Sequence, residues 1–179
     1  MSDDISARLG RYMAKMLGIP AVEIDGLSRI SGGASRETYR FAARYYRDGR
    51  AHDRRLILRR DPPASLIDTE RANEFRAYKA FYKLGLPVPE PIVLELGTEA
   101  LDRPFFIMEE VQNCSVASIL QPDPYGSLAT TIGYQFFTTL GKIAKADPDR
   151  IGLGDLEGAR SESWQHEVAR WEREIDEDE

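Results

Sequence analysis

The order of apolar runs in this 179-residue chain predicts an α+β fold: a five-stranded antiparallel sheet with a helix packed on it, then helices. Three observations carry that expectation. Strand-like runs come in blocks instead of alternating one by one with helices, which argues against a doubly wound parallel sheet. Two stretches repeat apolar side chains at helical spacing, one before the strands and one among them. After "QPDPYG" the pattern is helical to the end.

Asp4 to Leu17 is the first predicted helix: Ile5, Leu9, Tyr12, Met13 and Met16 share a stripe, and Gly18 with Pro20 ends it. Ile24 to Ile30, Thr38 to Tyr46 and Arg55 to Arg59 follow as strands. Gly32-Gly33 separates the first pair, and "RDGRAHD" reads as a polar loop between the second pair. "DPPAS" breaks the chain again. Asp68 to Leu84 is the next helix, with Ala72, Phe75, Tyr78 and Tyr82 on its apolar face and Gly85 as C-cap. Ile92 to Leu96 and Phe105 to Val111 complete the strands. Two later helical stripes follow, Ile132/Phe136/Leu140/Ile143 and Trp164/Val168/Trp171/Ile175.

The composition, 42% hydrophobic and 30% charged, is that of an ordinary globular chain. No apolar run approaches the roughly 20 residues that span a bilayer, so no membrane partner is expected. "MSDDISARLG" is too acidic and polar for a secretory signal. The single cysteine, Cys114, cannot close an internal disulfide, and these points together suggest a reducing cytoplasm. The net charge of −6 is concentrated at one end: Leu156 to Glu179 holds nine acids against three arginines, and residues 1–155 balance at 21 of each sign. Without a broad basic face, nucleic acid is not an expected partner. The closing "EREIDEDE" reads as a solvated end.

Four short motifs carry chemistry, each with a plain structural alternative. "SGGAS" (Ser31, Gly32, Gly33, Ala34, Ser35) can present backbone N–H groups and two hydroxyls to a phosphate, because glycine admits close approach and positive φ. A Gly-Gly pair also serves as an ordinary hairpin turn. In "RRLILRRDPP", Arg59 ends the buried run Leu56–Leu58, on the third strand, where protein kinases place a phosphate-binding lysine. Arginine brings a bidentate fork and a different reach; the alternative is two solvated arginines on an edge strand. In "DTERANEFRAYKAF", Glu74 adjoins the apolar stripe and can face the sheet to pair with Arg59. Glu70, one turn earlier, competes, and a surface pair with Arg71 or Lys79 is the alternative. In "RPFFIMEEVQN", a buried run leads into Glu109, Glu110 and Val111, whose backbone groups stand at the hinge of the kinase plan, within reach of an adenine edge. Otherwise this is only the end of a strand.

Taken in order, "ISGGASRETYRF", "LILRRDPP", "EFRAYKAFYKLGLPVPEPIVL", "RPFFIMEEV" and "LGKIAKADPDRIGLGDL" resemble the aminoglycoside phosphotransferase-like kinase family over roughly residues 25–156. The branch is the one also found fused to acyl-CoA dehydrogenases, with choline kinases as more distant relatives. The resemblance implies a bilobal kinase-like fold: residues 1–111 as an ATP-binding N-lobe, 112–125 as hinge and linker, 126–179 as part of a helical C-lobe. Ser31 to Ser35 would close over the phosphates of ATP, Arg59 would contact them with Glu74 as its partner, and Glu109 to Val111 would form the adenine hinge.

The family's "HGD…N" loop and later "D-x-[ED]" element, which supply the base and the Mg²⁺ ligands, have no counterpart in the sequence. His52 lies in a predicted polar loop and His166 in "ESWQHEVARW"; neither precedes Gly-Asp. Ala144 stands where the family often has histidine, which affects packing and not chemistry. The expectation is therefore the N-terminal part of a longer kinase, with no catalytic residue, no metal ligands and no phosphate transfer of its own. Its acceptor, a hydroxyl-bearing small molecule, would sit in the other lobe. Open apolar faces on the last helices predict self-association. Two alternatives stay open: a non-catalytic nucleotide-binding or interaction module, and a plain α+β scaffold.

Overall fold

A computed structural model describes residues 2–30, 37–61, 71–114, 120, 122–156, 164–165, 168–169 and 171–173. Their order is α1 (Ser2–Leu17), β1 (Glu23–Ile30), β2 (Glu37–Arg47), β3 (Arg50–Arg60), α2 (Arg71–Lys83), β4 (Pro91–Glu95), β5 (Phe105–Glu109) and α3 (Ala129–Lys145). The chain divides into two compact units, Met1–Tyr82 with Val88–Ser115, and Lys83–Pro87 with Val116–Glu179.

The first unit is built on one five-stranded sheet in the order β1-β2-β3-β5-β4, with every neighbouring pair antiparallel. This is the α+β arrangement read from the sequence. Side chains alternate across β3, so Leu56 and Leu58 leave one face and Ile57 and Arg59 the other. The first face meets α1. Leu9 and Met13 of the helix bury against Phe41, Ala43, Leu56, Leu58, Phe105 and Ile107, and Tyr12 stands edge-on to Phe105 at 5.1 Å between ring centroids. Gly10 lets α1 come close: a Cβ there would lie 2.8 Å from the Val22 carbonyl oxygen. Arg8 then ties the helix to the β4–β5 connection, donating to both Asp102 carboxylate oxygens at 2.6 and 2.7 Å.

The α1 face also holds a charge cluster. Glu37 lies directly across from Arg60 in the β2–β3 register. It accepts hydrogen bonds from Arg60 Nε and Nη2 at 2.9 and 2.6 Å, and Arg60 Nη1 donates to the Leu101 carbonyl at 3.3 Å. Arg103 adds a second cation 3.4 Å from the same carboxylate oxygen. Burial alone would push the Glu37 carboxyl up, but the hydrogen bonds and charge of Arg60, with charge from Arg103 and Arg29, hold it below the usual carboxylate range.

"RDGRAHD" is not a loop. β2 and β3 run on through it, and the connection is only Asp48-Gly49, both at positive φ (52° and 76°). Two such residues make the tight turn whose twist suits a hairpin. His52 therefore sits in β3, stacked on Tyr45 at 4.8 Å. The other strands also shift from their expected bounds, and β5 ends at Glu109, two residues before Val111. A further difference is that a helix lies on each sheet face, since Phe75 and Tyr78 of α2 meet Phe106 on the face away from α1, at 5.9 and 6.0 Å.

In the second unit α3 keeps Ile132 and Ile143 half-buried, while Tyr134, Phe136, Phe137 and Leu140 are exposed. Trp164, Val168 and Trp171 are helical and exposed; Ile175 lies outside the described residues. Among the described residues no helix is long and apolar enough to cross a membrane.

Gly10→Ala is expected to destabilise the chain by about 1–3 kcal/mol, because the methyl group meets backbone that can yield only by moving the helix; a thermal melt equal to wild type would refute this. Glu37→Gln is expected to cost about 3–5 kcal/mol at neutral pH by leaving Arg60 buried without its counter-charge. The folded Glu37 pKa is depressed, so its contribution is present above the ordinary carboxylate range and lost as pH falls through the folded value. Denaturant melts across the acid range should therefore show a shallower pH slope for Glu37→Gln. Parallel curves would contradict the assignment.

Candidate functional site

The site forms where β3 ends and α2 begins, on the sheet face away from α1. Alternation sends the adjacent Arg59 and Arg60 to opposite faces, Arg60 into the Glu37 cluster and Arg59 toward α2. There Arg59 Nη1 donates to Glu74 Oε1 at 2.5 Å. Both side chains are mostly buried. Phe106 lies directly across from Arg59 on β5, and the guanidinium carbons of Arg59 and Arg71 sit 5.7 and 5.6 Å from its ring centre. An aromatic ring at that distance favours a cation electrostatically. Arg59 Nε is buried and has no hydrogen-bond partner among the described residues.

Beside Arg59 the same face carries apolar residues: Ile57 pairs across with Met108 on β5 and with Arg40 on β2, and Ala42 lies two residues beyond Arg40. Ala42 and Ile57 are buried. The apolar patch ends at Glu110, whose carboxylate is held by Arg40 at 3.2 Å and Arg55 at 3.1 Å. Glu109 points to the α1 face and pairs with Arg54. Both carboxylates are thus committed to structural pairs. Two backbone amides there are committed as well: Glu109 N–H donates to the Glu90 carbonyl at 2.9 Å and Glu110 N–H to the Arg55 carbonyl at 3.0 Å.

The structure thus brings Arg59 and Glu74 together and places Glu109 at the end of β5 in the same sheet, with Glu110 and Val111 just beyond it. Ser31, Gly32, Gly33, Ala34 and Ser35 lie outside the described residues, as do Glu70 and His166. Sequence reasoning overlooked the apolar floor of Ala42, Ile57 and Met108. The signal was available: these residues have the same parity as Arg59 once the strands are paired. It also overlooked Arg71, which is only 4% exposed, pairs with Asp61, and donates from Nη1 to the Arg59 carbonyl at 3.4 Å. Among the described residues no group of three or more His, Cys, Asp or Glu side chains is placed to hold a metal ion.

The family model described as "Phosphotransferase enzyme family" matches residues 26–179, most of the chain. The chain belongs to the phosphotransferase enzyme family. The match includes β2, β3, α2 and β5, the elements that carry the Arg59–Glu74 site. Curated relatives of this phosphotransferase-family chain include acyl-CoA dehydrogenase family member 11 from Gallus gallus, 25% identical over 94% of this chain. The same protein from Pongo abelii is 40% identical over 31% of this chain, and family member 10 from Mus musculus is 31% identical over 56%. The chain spans only 21%, 7% and 9% of the length of those three relatives. A solved structure from Ralstonia eutropha, assigned as an aminoglycoside phosphotransferase, superposes with a TM-score of 0.66 at 22% identity. It covers 93% of this chain, which spans 46% of that one, and it shares the kinase-like fold.

Removing the acid of the Arg59–Glu74 pair leaves a mostly buried cation. Glu74→Ala is expected to lower stability by about 1.5–3 kcal/mol, the range for hydrogen bonds to charged groups, read by denaturant melts. A variant as stable as wild type would show that Arg59 does not depend on the carboxylate.

Proposed function

We propose that this chain supplies the nucleotide-binding part of an ATP-dependent phosphotransferase that moves the γ-phosphate to a hydroxyl group of a small metabolite. The observation that carries this reading is the state of Arg59: one nitrogen fixed by Glu74, the ring of Phe106 beneath, and a buried Nε–H without a partner among the described residues. A buried donor left unsatisfied costs about 1–3 kcal/mol, and a phosphate oxygen would relieve that cost. Glu74 orients the cation so that little reorganisation accompanies binding.

In this reading Ser31 to Ser35 close over the phosphates, and the adenine lies on Ala42, Ile57 and Met108. The backbone of Glu109 to Val111 reads its edge through the Glu109 carbonyl and the Val111 N–H, since the amides of Glu109 and Glu110 are already engaged. ATP would enter as its Mg²⁺ complex, the metal supplying charge neutralisation to the phosphates. The described residues would contribute the Arg59 cation and the apolar floor to that complex. An ATP-consuming enzyme with one exposed free thiol, Cys114, suits the cytoplasm.

Titration of the full chain with a non-hydrolysable ATP analogue and Mg²⁺ tests this. The Ile57 and Met108 methyl signals and the Arg59 Nε–H signal are expected to shift along one saturation curve, and Arg59→Ala to weaken binding about tenfold. Unchanged affinity would place the phosphate-binding cation elsewhere; three flat signals would remove the nucleotide reading.

The exposed aromatic residues of α3 support self-association as part of the same reading. Light scattering should show mass rising with concentration. A constant monomer mass would count against it.

A further inference from the structure

The end of β3 and the first turn of α2 carry matched opposite charges. Arg59 and Asp61 are two residues apart along an extended run, and Arg71 and Glu74 are one helical turn apart. Each element thus offers one cation and one anion to the other. Arg59 takes Glu74, and Asp61 takes Arg71.

Asp61 is itself fixed to the sheet. Its N–H donates to the Pro104 carbonyl at 3.1 Å, and its carbonyl accepts from Arg103 Nη1 at 3.0 Å. Arg71 is sealed between this anchor, the Arg59 carbonyl and the face of Phe106. Only one register satisfies all four charges. Sliding α2 by a turn in one direction would set Arg71 against Arg59; sliding it the other way would set Glu74 against Asp61. Both shifts replace attraction by repulsion at sites with little solvent to screen it.

We infer that Asp61 and Arg71 are positioning residues: they lock the register of α2 on β3 and so hold Glu74 where it can orient Arg59. The geometric part stands on the ion pairs alone. Its consequence for affinity rests on the nucleotide reading above.

Two measurements on the full chain test this separately. The first needs no nucleotide. Asp61→Asn is expected to shift and broaden the ¹⁵N-detected Arg59 Nε–H resonance, as the guanidinium loses its fixed partner. A general loss of stability would lower the melting temperature without moving that signal. An Arg59 resonance identical to wild type would overturn the inference. The second is a mutant cycle read by binding of the ATP analogue. Asp61→Asn alone should weaken affinity about tenfold, and should weaken it no further in an Arg59→Ala background. Additive losses would mean that Asp61 acts by a route other than Arg59 and would overturn the inference. If the wild-type chain binds no nucleotide, the nucleotide reading falls and the resonance still decides the register lock. Arg71→Lys keeps the charge but not the fork. It serves the same two readouts, with the same outcomes, should Asp61→Asn fail to fold.

Discussion

The two-residue alternation of β3 is the constraint on which the first unit depends. It places two neighbouring arginines on opposite sides of one sheet, where they face very different fates. Arg60 is satisfied: three of its nitrogens donate to Glu37 and to the Leu101 carbonyl. Arg59 holds one carboxylate oxygen and keeps a buried donor in reserve among the described residues. A guanidinium carries five N–H donors and cannot shed its proton, so the two arginines differ in how much of that capacity the protein itself consumes. By this measure the protein consumes more of Arg60 than of Arg59, whose Nε–H is the donor that the proposed phosphate contact would use.

The surroundings support the same division of labour. The α1 face closes over hydrocarbon and the Glu37 cluster, with Gly10 allowing the helix to seat closely. The α2 face stays mixed, with Arg59 and Glu74 at one end of an apolar strip and Glu110, held by Arg40 and Arg55, at the other. Membership of the phosphotransferase family gives that pattern a chemical context.

Much of the fold was legible because burial writes a period into the chain. The stripe of Leu9 and Met13 and the apolar run Leu56–Leu58 are core in the structure, and all five strands occur in the order read. Arg59 and Glu74 were legible as partners because one ends a buried strand and the other adjoins a buried helix stripe. What could not be read has a common physical cause: charged residues carry no visible phase. Glu37 and Arg60 look like surface residues until register sets them opposite each other. Asp61 and Arg71 look like loop and helix-surface charges for the same reason. The polar run Arg47–Asp53 hid the start of β3, although the Asp48-Gly49 pair within it is a strong local hairpin signal. Val111 reads as strand because the apolar run continues to it, but the strand pairing stops at Glu109.

The length of that hidden hairpin matters for how the sheet comes apart. Pairing with β1 stops at Arg44, which lies across from Asp53, and pairing with β5 stops at Leu56, so residues 45–52 stand as a ribbon of only two strands. Ribbons of that kind are marginal in water without a third strand or a covering helix, and this one has its Asp-Gly turn and the Tyr45–His52 stack to steady it. Fraying therefore starts at the tip and proceeds inward, with amide protons there exchanging through local opening. The protons between Leu56 and Leu58 are released only when the whole unit unfolds. The gradient ends two residues short of Arg59, so the tip can breathe without disturbing the cation.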